Sequence, residues 1–213
     1  MLAVKEEISI PAGNGVHLDG ELIIPEDAQG LVIFSHGSGS SRHSMRNIFV
    51  ARKLHEQKMA TLLFDLLTEE EDKDKANRFN IELLTQRLEK AYLWTSQQNE
   101  TYGLPTGFFG ASTGAASALK AAARKGDRVK AVVSRGGRPD LAGDELPQVS
   151  AASLFIIGGE DDHVIQLNKQ AYRLLNTQKQ LEIIPGAGHL FEEPGTMEKV
   201  AELAAAWYKR HLK

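Results

Sequence analysis

Six short apolar runs constrain this chain more than any other feature: LVIFSHG, MATLLFDLL, PTGFFG, VKAVVSRGG, SLFIIGGEDD and LEIIPGAGH. They are apolar at nearly every position rather than at alternate ones. Such runs read as strands buried on both faces, the pattern of a parallel sheet. Segments of helical spacing lie between them. MRNIFVARKLHEQ places Ile48, Ala51 and Leu54 on one face, and RFNIELLTQRLEKAYLWTSQQ does the same with Ile81, Leu84, Leu88 and Tyr92. STGAASALKAAARKG is closed by Gly126, IQLNKQAYRLLNT follows later, and MEKVAELAAAWYKRHLK carries the stripe Val200, Leu203, Ala204 and Trp207. Strands alternating with helices predict a mostly parallel sheet covered on both faces. The opening VKEEISIPAGNGVHLDGELIIPE differs, alternating around Ile8 and Ile10 and turning at Gly13-Asn14-Gly15. It predicts an antiparallel hairpin at the sheet edge. No repeat, linker or low-complexity block divides the chain, so residues 1–213 are expected to form a single α/β domain. The acidic run TEEEDKDK is expected to be a solvated loop and helix entry.

Composition narrows the function classes. A net charge of -3 offers no basic footprint, so nucleic acid is not an expected partner. No apolar run approaches the ~18 residues of a membrane span. The start, MLAVKEEISIPAG, lacks a basic region followed by a long apolar stretch, so no signal peptide is expected. With no cysteine, disulfides, thiolate nucleophiles and sulfur-ligated metals are excluded together, and a cytoplasmic protein fits best.

The chemistry is sought in loops that follow strands, where ligands bind in open α/β sheets. FFGASTGAAS places Ser112 between Gly110 and Gly114, after a strand and before a helix. In a G-x-S-x-G elbow the serine is strained, small neighbours relieve crowding, and its hydroxyl stands at the positive end of a helix. A serine nucleophile needs a base. His189, in GAGHLF, is the best placed. His17, His43 and His55 are expected to be packed or solvated, His211 to lie on the surface, and His36 to sit structurally beneath the glycine loop. The base needs a carboxylate to fix its tautomer. Asp161 and Asp162 both follow SLFIIGG and precede His189. A metal site from Asp161, Asp162, His163 and His189 lacks any ligand spacing that supports it. HGSGS lacks the Gly-Lys-Ser/Thr ending of a phosphate loop.

In this order of serine, acid and histidine the chain resembles the α/β hydrolases of the dienelactone-hydrolase-like group, from roughly residue 20 to the end. The resemblance implies a three-layer α/β-hydrolase fold, a mostly parallel sheet with an antiparallel N-terminal hairpin and no separate lid domain. It favours Asp161 over Asp162, because Gly158, Asp161 and Val164 match Gly-x-x-Asp-x-x-Val. An oxyanion hole is expected from the amides of Ser38 and Thr113. Dienelactone hydrolases proper use a cysteine where Ser112 stands, so the architecture transfers and the substrate does not. The expected reaction is hydrolysis of a small-molecule carboxylic ester through an acyl-enzyme, from an open pocket and with no metal or organic cofactor. A thioesterase, acyltransferase or peptidase shares this triad and differs in leaving group. A non-catalytic binding module is disfavoured, because serine, acid and histidine are all present. Arg135 and Arg138 either bind an anionic substrate group or join a salt-bridge network with Asp140 or Glu192-Glu193, and the network is preferred. Asp65, Arg42 and Arg46 either line the site or brace its loops.

Overall fold

The computed structural model describes residues 2–213. β1 (Leu2–Gly13) and β2 (Val16–Pro25) form the expected antiparallel hairpin, and Asn14 at φ 52° and Gly15 at φ 75° make its turn. There follow β3 (Gly30–Ser35), α1 (Met45–Glu56), β4 (Met59–Phe64), α2 (Glu69–Lys73), α3 (Ile81–Thr95), β5 (Thr106–Ala111) and α4 (Gly114–Lys125). The chain closes with β6 (Val129–Arg135), β7 (Ala152–Gly158), α5 (Asp162–Leu174), β8 (Lys179–Ile184) and α6 (Thr196–His211). The eight strands lie in the order β1-β2-β4-β3-β5-β6-β7-β8. β2 runs antiparallel to both β1 and β4, and every later pairing is parallel.

Successive residues of the central strands feed opposite apolar layers, which explains why their sequences are continuously apolar. Phe108 belongs to the same apolar layer as Leu84, Leu88 and Leu119 of α3 and α4, while Phe109 belongs to the opposite layer with Val50 and Leu54 of α1 and Ala204 and Tyr208 of α6. A Cβ on Gly107 of β5 would lie 2.8 Å from the Tyr208 ring, so glycine makes room for that ring, whose hydroxyl donates to the Phe108 carbonyl at 2.6 Å.

Two local expectations change, at the acidic run and at His211. The acidic run forms α2 because Thr68 and Glu71 make a reciprocal capping box, and Arg87 and Arg78 pair with Glu71 and Asp72. Residues 139–148 form 3-10 turns broken at Gly143 (φ 58°). His211 is half-buried, its ring 4.3 Å from that of Trp207, because α6 turns this face onto the sheet. Among the described residues no helix is long and apolar enough to cross a membrane.

Candidate active site

Ser112 is the first residue of the two-residue step, Ser112-Thr113, from β5 into α4, at φ 50°. For a residue with a Cβ this left-handed conformation costs about 1–2 kcal/mol. The cost is met by pinning the backbone on both sides. The Ser112 amide donates to the Arg135 carbonyl at 3.2 Å, and its own carbonyl accepts from the Ala115 and Arg138 amides at 3.1 and 3.0 Å. The flanking glycines are sterically required. A Cβ on Gly110 would lie 2.4 Å from the Ala115 Cα, and one on Gly114 only 2.1 Å from the Ser35 carbonyl oxygen. α4 therefore presses its first turn against β3 and β5, which holds the serine at the C-terminal edge of the sheet.

The loop after β3 crosses the same edge. Its Gly37 passes so close that a Cβ there would sit 3.0 Å from the Ser112 Cβ. The Ser38 amide donates to the Thr113 hydroxyl at 2.9 Å, so in this structure the expected oxyanion donor is engaged within the protein. His36 lies beneath, as expected. The Leu66 amide donates to its Nε2 at 3.0 Å, which leaves Nδ1 to carry the proton toward the Gly37 carbonyl, also at 3.0 Å. Burial pushes the pKa of this imidazole below the usual 6.5. It is a neutral strut between two loops.

His189 stands in the loop after β8, and its Nδ1 donates to the Asp161 carboxylate at 2.6 Å. That bond leaves Nε2 as the ring's other face to the site. Asp161 is free for it because α5 starts at Asp162 and Asp161, at the cap position, makes no side-chain cap. Asp162, inside the first turn, is exposed and does not bond His189. Close approach fixes the two loops together: a Cβ on Gly158 would fall 2.4 Å from the Ala187 carbonyl oxygen, and the Glu160 amide donates to that same oxygen at 3.0 Å. Serine and histidine both lie beside the end of β6, with no hydrogen bond between their side chains in this structure. Ser112 hangs from the Arg135 carbonyl, and the next residue, Gly136, would bring a Cβ within 3.6 Å of the His189 Cε1.

The arginines divide. Arg138 makes a two-point ion pair with Asp140, at 2.9 and 2.8 Å, as the network reading requires. Arg135 does not join it, and here the preferred reading is corrected. The alternation of β6 turns Ala131, Val133 and Arg135 onto the α1/α6 face, away from Asp140. There Arg135 is buried, its guanidinium carbon 5.9 Å from the Phe191 ring centroid, and Glu192 pairs instead with Arg46 at 3.5 Å. Burial, with repulsion from Arg46, pushes the Arg135 pKa down to about 10, which leaves it charged at neutral pH. Asp65 braces the glycine loop, accepting from the Arg42 amide at 2.7 Å and pairing with the Arg42 guanidinium. With His17, Asp19, His36 and His43 it also lines a cavity of about 350 Å³ beside that loop.

A strained serine after the middle strand, a histidine bonded to a carboxylate on later strand ends and this strand order together define an α/β hydrolase-type protein. The chain belongs to the dienelactone hydrolase family, whose model matches residues 18–213. A dienelactone hydrolase of known structure from Anabaena variabilis is 49% identical, with 99% of each chain covered and a TM-score of 0.95. Est1E from Butyrivibrio proteoclasticus, 16% identical with 96% and 98% of the two chains covered, has the same fold at a TM-score of 0.82. Two Mycobacterium tuberculosis proteins, named provisionally as phosphoribosyl transferases, are 54% identical over 207 residues. Those residues are 97% of this chain and 46% of theirs, so the chain spans about half the length of the curated relatives it matches.

Proposed function

We propose that this chain hydrolyses a carboxylic ester of a small molecule through an acyl-enzyme on Ser112. The observation that carries the reading is the 2.6 Å bond from His189 to Asp161, on the same sheet edge that holds Ser112 at φ 50°. In this reading His189 Nε2 takes the Ser112 proton as Oγ bonds to the ester carbonyl carbon. Asp161 holds the ring's tautomer and stabilises the imidazolium. The amides of Thr113 and Ser38 receive the oxyanion, the Thr113 hydroxyl rotating away from the Ser38 amide as the carbonyl oxygen arrives. Each such donor contributes about 3 kcal/mol to lowering the barrier. The ester C–O bond then breaks, the alcohol leaves with the proton from His189, and His189 activates water to release the acid. None of these steps needs a metal or organic cofactor.

The provisional name of the mycobacterial relatives belongs to proteins about twice as long as this chain. Thioesters and acyl transfer to an alcohol use the same residues, and leaving-group panels separate them from esters. The first test is labelling by a fluorophosphonate, read by intact mass and peptide mapping. Adduct on Ser112 of the wild type, lost in Ser112→Ala and greatly slowed in His189→Ala, supports the mechanism. A folded wild-type protein that takes no label overturns it.

A further inference from the structure

Between Arg135 and Arg138 run two glycines, and this turn touches the histidine loop and the serine at once. Gly136, at φ 51°, donates its amide to the Ile156 carbonyl at 2.8 Å, and a Cβ on it would come within 3.1 Å of the His189 carbonyl oxygen. Gly137 presses on the first turn of α4: a Cβ there would lie 2.5 Å from that of Ala115 and 2.0 Å from the Ser134 Oγ. The Arg138 amide donates to the Ser112 carbonyl at 3.0 Å, one of the two bonds on that carbonyl that hold the left-handed backbone. Any shift of residues 136–138 therefore moves the support under Ser112 and the wall against His189 together.

One side chain ties this turn to α5. The Asn168 Nδ2 donates to the Gly137 carbonyl at 2.9 Å and to the Val164 carbonyl of its own helix at 2.8 Å. Asn168 is 0% exposed, and its Oδ1 is buried without a partner among the described residues. Both groups facing Nδ2 are carbonyl oxygens, so turning the amide over would set oxygen against oxygen, and the idle Oδ1 is fixed. Leucine would fill the same space with no idle polar atom. What leucine cannot supply is the bond to Gly137. The same helix begins at Asp162, directly after Asp161, and Asn168 lies about two turns further on. α5 thus carries the acid loop at its start and the tether to the turn at its middle.

We propose that Asn168 is a positioning residue: through Gly137 it holds residues 136–138, and through them the alignment of Ser112 with His189. The inference rests on the proposed esterase reading for the step it serves. No hydrogen bond joins the two side chains in this structure, so proton transfer to His189 depends on how little the serine and histidine loops drift apart. A misplacement of about 1 Å at such a centre costs on the order of 10²-fold in rate.

The test compares the full chain with Asn168→Leu and Asn168→Ser. Leucine removes the tether and keeps the bulk. Serine still donates to the Val164 carbonyl but is too short for Gly137, and it carries the test if the leucine variant does not fold. Fluorophosphonate labelling gives the rate constant and, by intact mass, the final stoichiometry, while hydrogen exchange reports the opening of the Arg138 amide against the amides of β6. In a variant that melts well above the assay temperature, labelling is expected to slow about 10–100-fold at full stoichiometry. Exchange at the Arg138 amide is expected to rise about tenfold more than in β6, a local opening rather than a global one. The pH midpoint of labelling stays where it is, because Asp161 still bonds His189. Labelling at the wild-type rate, exchange raised no more at Arg138 than in β6, or a displaced pH midpoint overturns the proposal. A wild type that takes no label defeats the esterase reading and this inference with it. Equal labelling of wild type and variants defeats the inference alone.

Discussion

Replacing His36 with phenylalanine tests whether the neutral imidazole is what joins the loops after β3 and β4. Phenylalanine restores the ring's apolar bulk but neither hydrogen bond. The Leu66 amide, on a residue 0% exposed, then loses its acceptor, which costs about 1–3 kcal/mol, and the lost Gly37 bond adds about 0.5–1 kcal/mol. A net loss of roughly 2 kcal/mol lowers Tm by about 4–8 °C in a chain of this size. The pH dependence is the sharper signature. Unfolded, His36 protonates near the ordinary value of 6.5; folded, burial holds its pKa lower. Between those two values the unfolded state binds more protons, so wild-type stability falls as pH drops below 6.5, by at most about 1.4 kcal/mol per pH unit. His36→Phe has no such group and loses less over that window. Burial also lowers the pKa of His55 and His211, but they titrate in both proteins and cancel in the difference. Urea unfolding at about pH 8 and about pH 5.5 measures all four free energies. The reasoning is refuted if the variant matches wild type to within about 0.5 kcal/mol at the higher pH, or declines as steeply toward the lower one.

Three further outcomes follow from the same geometry. Asp161→Asn should slow fluorophosphonate labelling of Ser112 by about 10²–10⁴-fold, while Asp162→Asn stays within about twofold; equal effects would reassign the acid. Gly114→Ala should destabilise by about 3 kcal/mol or more, since its Cβ would lie 2.1 Å from a backbone oxygen, whereas Gly126→Ala faces open space and costs about 1–3 kcal/mol for its backbone conformation alone, and so should rank below it in thermal melts. Arg124 holds the Glu82 carboxyl down at about 2, so this pair stabilises the fold above pH 4.5 and stops doing so as the pH falls toward about 2. Because Glu82 is half-exposed, Glu82→Gln should cost no more than about 1 kcal/mol at neutral pH, and melts across an acid series should show the gap closing.

The sheet was legible because double burial writes itself as unbroken apolar runs, and each run named above became a strand, although β8, at the sheet edge, is exposed or half-exposed at all but its last residue. Strand order was not legible. That β4 lies outside β3 and pairs with β2 depends on which way the first crossover turns, a property of packing rather than of any local run. At the site, Ser112, Asp161 and His189 stood out because each follows a strand, and the bond from His189 reaches Asp161 because α5 begins one residue later than that acid. Expecting Arg135 in the same network as Arg138 was a failure of a different kind. The alternation within VKAVVSR separates the two side chains by face, but the absence of a carboxylate opposite Arg135 is decided by α1 and the His189 loop, more than 40 residues away in sequence.

The hairpin that opens the chain has a consequence for how the molecule coexists with its own copies. A parallel sheet of this kind ends in rows of unpaired amides and carbonyls that invite another strand to add on. β1 forms one such rim, and it carries Lys5, Glu6 and Glu7 in succession and then Pro11, which has no amide to offer. Lys5 is already paired with Glu21 at 3.1 Å. A second chain adding here would have to bury charge against charge beside a missing donor. The family match begins at residue 18, so most of this guard lies outside the part shared by the family model. β1 is thus suited to act as a bumper against edge-to-edge aggregation, and deleting it would leave β2, which has no proline before its last residue, as the sheet edge in its place.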